Sequence, residues 1–119
     1  MRVLLVDDDD LVRATLVEML SGVGYEVLEA GDPNQALGLP EAVGPPDVLV
    51  TDIDLCAELN GFDVASHAHH LWPKVRVILI SGLYTDHTGQ PLDPRDRYIQ
   101  KPFSGERLLG AIEQLANEA

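Results

Sequence analysis

Asp7 and Asp8 follow the apolar run of residues 3–6, and Asp52 follows the run of residues 48–51 in "DVLVTDIDL". Ser81 closes "VILIS", and Lys101 comes directly after "YIQ" in "YIQKPF". Each of these polar groups stands where an apolar segment stops. Three carboxylates brought together repel one another unless something positive sits among them. A hard divalent cation such as Mg2+, with Mn2+ as a substitute, takes oxygen ligands and keeps several waters. One ammonium, at Lys101, does not neutralise three carboxylates. A lysine and a serine beside such a cation are also the donors that phosphoryl oxygens accept from. If these segments converge, the chemistry is that of an Mg2+ site handling phosphate, with a carboxylate available as nucleophile.

The elements that would have to position these residues read as strands and helices in alternation. Residues 3–6, 25–28, 48–51 and 75–80 are short, continuous apolar runs rich in Val and Ile, with a shorter candidate at 98–100. Continuous rather than alternating runs are what strands show when helices cover both faces of a sheet. Between them lie helical patterns at 10–23, 34–43, 61–71 and 104–117. The first places Val12, Leu16, Met19, Leu20 and Val23 on one face. The last places Leu108, Ile112 and Leu115 on one face behind a capping Ser104. Residues 84–97 hold two prolines and a glycine and no clear period, so they read as a loop with at most one or two helical turns. Alternating strands and helices imply an α/β fold with a parallel sheet. Ligands of such sheets bind at the carboxyl ends of the strands, the positions occupied by Asp7, Asp8, Asp52, Ser81 and Lys101. Asp9 and Asp10 read as helix-start acids, favoured by capping and by the helix dipole.

The chain has 119 residues, which suits one domain spanning 1–119, and the formal net charge is −12. A surface of that sign repels nucleic acid and anionic lipid, so neither direct nucleic-acid binding nor membrane contact is expected of this domain. Cys56 is the single cysteine, which suits a reducing, cytoplasmic compartment. No stretch approaches a membrane span. The first and last residues already carry structured patterns, as in a domain cut from a longer protein.

At these residues the sequence resembles the receiver domain of two-component response regulators, through "LLVDDDD", "DVLVTDIDL", "NGFDVA", "VILISG" and "KPF" in that order. The resemblance implies a flavodoxin-like, doubly wound five-stranded parallel sheet of order 2-1-3-4-5. It implies a phosphoacceptor at Asp52, charged by a histidine kinase or a histidine phosphotransfer domain, rather than an enzyme with turnover of an external substrate. Asp8 would be a direct Mg2+ ligand and Asp7 would act with it, with the backbone carbonyl of Asp54 completing the protein's share of the shell. Lys101 would pair with the phosphoryl group, and Ser81 would be the switch hydroxyl. Tyr98 stands where the family places an aromatic that turns inward on activation. The bond before Pro102 would be cis and would orient Lys101.

Some features depart from the family pattern. Cys56 stands where proline is frequent, and the stretch from Asp52 to Gly61 is one residue longer than in the chemotaxis regulator, as in receivers fused to hybrid sensor kinases. The weak helical pattern at 84–97 also resembles such receivers, whereas many response regulators dimerise through a helix in that region. Two other functions compete. "TDIDL" contains the D-x-D pair of haloacid-dehalogenase-like phosphatases, with Asp52 as nucleophile and Asp54 as acid/base, although in those enzymes the acidic metal ligands lie downstream. A pseudo-receiver that only binds a partner is the other, against which the complete acidic set and Lys101 speak. His67, His69 and His70 on one helix read as a solvated face, and Trp72 with Pro73 as the end of that helix.

Overall fold

The computed structural model describes residues 1–38, 44–55, 59–82 and 96–117. Along the chain these form β1 (Arg2–Val6), α1 (Asp10–Gly22), β2 (Glu26–Ala30), α2 (Pro33–Gly38), β3 (Val48–Asp52), α3 (Gly61–Leu71), β4 (Arg76–Ser81), β5 (Asp96–Gln100) and α4 (Gly105–Asn117). The strands make one parallel sheet in the order β2-β1-β3-β4-β5. This is the doubly wound fold expected. The chain moves outward from β1 to β2, then returns past β1 to β3, so strand order reverses between β1 and β3. A crevice opens at the carboxyl ends of the strands at such a reversal.

Both faces of the sheet are covered, which explains why the strand sequences do not alternate. On one face Val3, Leu5, Val48, Val50, Ile78, Ile80 and Ile99 pack against Leu16 and Leu20 of α1 and Leu108, Ile112 and Leu115 of α4. On the other, Leu4, Val6, Leu49, Val77 and Leu79 pack against Ala36 of α2 and Val64, Ala65 and Ala68 of α3. Full burial of each such side chain stabilises by roughly 1.5–3 kcal/mol, so the framework holding the strand ends is stiff.

The helix starts follow from their caps. The Asp9 carboxylate accepts from the Leu11 and Val12 amides. Asn60 and Asp63 close a reciprocal capping box on α3. Ser104 Oγ accepts from the Arg107 amide, as its spacing suggests. Trp72 is the C-cap of α3. After α1 the chain turns on Gly24, at φ 94°, a conformation that favours glycine.

The structure corrects the sequence reading in a few places. Val23 is not on the buried face of α1 but 54% exposed, because the helix ends at Gly22 and Val23 is its C-cap. Strand β5 begins at Asp96, two residues before the apolar signal at Tyr98. Helix α2 is described only to Gly38, so the rest of the pattern at 34–43 lies outside the described residues, as do most of 84–97 and Cys56. Among the described residues, no helix is long and apolar enough to cross a membrane.

Candidate functional site

Parallel pairing places the carboxyl ends of β1, β3, β4 and β5 on one edge. Val6 pairs with Thr51 and Asp52 with Ile80, so the residues after β1 lie level with the end of β3. Asp7, Asp52 and Lys101 continue the phase of Leu5, Val50 and Ile99, and therefore start from the same face of the sheet. Single carboxylate oxygens of Asp7, Asp8 and Asp52 all lie within 4.8 Å of one another. Asp7 and Asp52 are buried, at 1% and 4% exposure, whereas Asp8 is exposed.

Asp52 is held at both carboxylate oxygens. Oδ1 accepts from the Asp54 amide at 3.0 Å, and Oδ2 accepts from Lys101 Nζ at 2.6 Å. Lys101 is placed by its own amide, which donates to the Ser81 carbonyl at 2.8 Å, and the Lys101–Pro102 bond is cis, as the resemblance implied. Burial draws the Lys101 ammonium down. The hydrogen bond and charge of Asp52, with the charges of Asp7 and Asp8, outweigh that and hold it above its ordinary value.

Asp7 is fixed differently. Its amide donates to the Ala30 carbonyl at 3.2 Å, and its Oδ1 accepts from the Asp9 amide at 2.8 Å. Its Oδ2 is buried and has no hydrogen-bond partner among the described residues. Burial pushes the carboxyl up; the Asp9 amide pulls it back, and the charges of Asp52 and Asp8 push it further up against the pull of Lys101. A buried carboxylate oxygen with no donor among the described residues, on a side chain clustered with two other carboxylates, is a costly arrangement. A hard cation bound there would offset that cost, and an all-oxygen donor set suits Mg2+ or Mn2+.

Ser81 and Tyr98 follow the other phase of their strands. Ser81 is buried and continues the other phase of β4, with Val77 and Leu79. Together with Tyr98, Gln100, Phe103 and Arg107 it lines a cavity of about 640 Å3. Tyr98 is half-buried, and its ring meets Phe62 of α3 edge-on with centroids 6.3 Å apart. Burial, and secondarily Asp96, raise its phenol above the ordinary value. Asp9 and Asp10 stand outside the cluster as capping and ion-pairing groups, as their position suggested.

Three residues play parts that the sequence reading did not give them. Gly61 opens α3 against the end of β3: a Cβ there would collide with the Asp52 carbonyl oxygen and stand 2.6 Å from Ile53 Cα. Its amide donates to the Ile53 carbonyl at 2.8 Å. The signal was present, since a glycine directly follows the capping Asn60. Arg13 donates to the Asp7 carbonyl at 2.7 Å. A helical arginine ordinarily reads as solvated, and only its spacing from Asp10 pointed elsewhere. His69 is not on a solvated face, unlike the exposed His67 and His70. Its Nε2 lies 2.7 Å from Asp96 Oδ1 at the start of β5, with side chains only 13% and 8% exposed.

Comparison with known proteins bears on the family and the fold. A model of the response regulator receiver domain matches residues 3–113. The chain is 30% identical over 116 residues to the response regulator receiver protein CpdR of Brucella abortus, covering 96% of this chain and 95% of that protein. It is 31% identical over 116 residues to the sensor kinase CckA of the same organism, of which it spans 12%, and 35% identical over 114 residues to the transcriptional regulatory protein PdtaR of Mycobacterium tuberculosis, of which it spans 55%. Among solved structures, a response regulator receiver protein from Sinorhizobium medicae superposes with a TM-score of 0.89 at 26% identity, covering 99% of this chain and 95% of that one. The receiver domain of the hybrid histidine kinase CckA superposes with a TM-score of 0.82 at 28% identity, covering 97% and 98%. Sequence, sheet order and the family match therefore agree that this chain belongs to the response regulator receiver domain family of two-component signal transduction.

Proposed function

We propose that Asp52 is the phosphoacceptor of this receiver, and that Asp7, Asp8, Asp52 and the backbone carbonyl of Asp54 hold an Mg2+ ion beside it. The observation that carries this reading is the combination at one strand edge of a lysine-bound carboxylate and a buried carboxylate oxygen with no partner among the described residues. An Asp52 oxygen attacks phosphorus of a phosphohistidine on a partner kinase or phosphotransfer domain. The P–N bond breaks, its electron pair stays on the imidazole nitrogen, and an acyl phosphate forms on Asp52. Lys101, already bonded to Oδ2, follows the charge onto the phosphoryl oxygens. When bound, the cation supplies electrostatic offset for a phosphoryl group entering an acidic pocket. Water then reverses the modification. No external ester is turned over, because Asp52 is both the group modified and the group released. The phosphatase reading of Asp52 and Asp54 is less apt, since the acids that gather with Asp52 come from upstream, at the end of β1.

A partner has an apolar seat at this edge. Leu11, three residues after Asp8 in the first turn of α1, is 77% exposed. Next to it a groove of about 660 Å3 runs between α1 and the segment after β5, lined by Val12, Leu16, Met19, Pro102 and Phe103. A helix carrying the donor histidine fits there better than nucleic acid, which the net charge of −12 repels.

The test is direct. Acetyl phosphate with Mg2+ should add one phosphoryl group, stable in acid and labile to base or hydroxylamine, at Asp52. Modification of an Asp52→Asn variant under the same conditions would refute the assignment.

A further inference from the structure

We infer that Arg13 is a positioning residue for the cation site, acting through the backbone of Asp7. The inference rests on the cation reading above. Arg13 lies in the first turns of α1, where an arginine ordinarily extends into water and its ion pairs contribute little. Here the side chain is only 16% exposed, and three of its nitrogens are committed. Nη1 donates to the Asp7 carbonyl at 2.7 Å, Nη2 to Asp10 at 2.6 Å and Nε to Glu29 at 3.2 Å. Glu29 belongs to the edge strand β2, in register with Leu5. One planar fork thus joins the end of β1, the start of α1 and the edge strand.

The consequence falls on Asp7. Ala30 holds its amide, Arg13 holds its carbonyl, and the Asp9 amide holds Oδ1. With both flanking peptides and one carboxylate oxygen fixed, the direction of the buried Oδ2 is determined. The sequence makes room for this: a Cβ on Gly31 would stand 3.2 Å from Arg13 Nη1.

Position and charge predict opposite results, which makes the role testable. By charge alone, a cationic side chain near a cation site opposes binding, so its removal tightens binding. By position, its loss frees Oδ2 and weakens binding.

The experiment is Mn2+ binding to the unphosphorylated chain, read from the paramagnetic resonance signal of free Mn2+, for the parent, Arg13→Gln, Arg13→Lys and Arg2→Gln. Arg2 is the control: it joins the same two strands at their other end, through Glu26 and the Pro45 carbonyl. Outer partners of metal ligands typically change affinity 10–100-fold, so both Arg13 variants should bind Mn2+ about tenfold more weakly. Arg2→Gln should bind like the parent even if its urea midpoint falls. Unchanged or tighter binding in Arg13→Gln would overturn the role, and so would equal weakening in Arg2→Gln. Arg13→Lys keeps charge and bulk, so it carries the test if the glutamine variant does not fold. Parent-like affinity in the lysine variant overturns the role too. A parent that binds no Mn2+ would remove the site itself, whereas a parent that binds equally with its Arg13 variants would leave the site and remove Arg13 from it.

Discussion

Replacing Asp7 by Asn should stabilise the metal-free protein, although Asp7 is one of its most buried polar residues. In the parent, one carboxylate oxygen of Asp7 lies within 4.8 Å of one oxygen each of Asp8 and Asp52. At an effective dielectric near 20, two unit charges at that separation repel by about 3 kcal/mol. The Asp8 share shrinks because Asp8 is exposed, and the Asp52 share shrinks because Lys101 sits 2.6 Å from Oδ2. What persists is a buried oxygen without a donor among the described residues, which costs about 1–3 kcal/mol. An asparagine keeps an oxygen for the Asp9 amide and turns its NH2 toward the facing carboxylates. We expect a net gain of about 1–2 kcal/mol, or roughly 4–8 °C in Tm for a domain of this size. Thermal unfolding followed by circular dichroism, in EDTA and in millimolar Mg2+, measures it. Mg2+ should raise the Tm of the parent and barely move that of the variant. The pH dependence has a definite sign. The folded pKa of Asp7 is raised above 3.8, so the stability associated with its protonated form is fully present below that value and is lost as pH rises through the folded pKa. Parent and variant should therefore converge in acid and separate toward neutrality. A lower Tm for Asp7→Asn in EDTA, or an equal response of both proteins to Mg2+, would refute the reasoning.

Asp8→Ala should slow acetyl phosphate labelling by on the order of tenfold or more while Asp10→Ala changes it little, because Asp8 lies in the cluster and Asp10 faces Arg13; equal losses would sink the ligand assignment. Ser81→Ala should still accept beryllofluoride, with amide shifts at Gly82 and Asp96–Gln100 much smaller than in the parent; the same shifts in both proteins would remove Ser81 as the switch. Gly61→Ala should cost about 1–3 kcal/mol in urea unfolding, since its methyl collides with the Asp52 carbonyl; a neutral result would mean that α3 moves away without penalty.

The parts of the site legible in the sequence were those set by a strand end. Asp7 and Asp52 follow continuous apolar runs and Lys101 follows the shorter run Tyr98–Gln100, and parallel topology alone brings such residues to one edge. Strand β5 was read two residues short because Asp96 and Arg97 are polar; Asp96 is buried through His69, a pairing between residues 27 apart that no local pattern reveals. Arg13 escaped for a similar reason. Its partners Asp7 and Asp10 are near in sequence, but Glu29 comes from a different strand, and the guanidinium's burial depends on Gly31. Gly61 shows the reverse case: the capping box around it is local, but the surface it must clear is the end of β3.

The order in which the strand ends are made has a kinetic consequence. Asp7, Asp8 and Asp52 can gather as soon as β3 pairs with β1, but Lys101 reaches them only after β5 has joined β4 at the far side of the sheet. If β3 pairs with β1 before β5 joins β4, three acids gather ahead of their ammonium. Parallel pairing is non-local and slow already, and this repulsion adds to the barrier. Divalent cation present during folding would fill the role of the missing lysine. Refolding of the full chain should accordingly be faster in Mg2+ than in EDTA, with the acceleration lost in Asp7→Asn, so that an ion bound at the proposed site would also serve the domain's assembly.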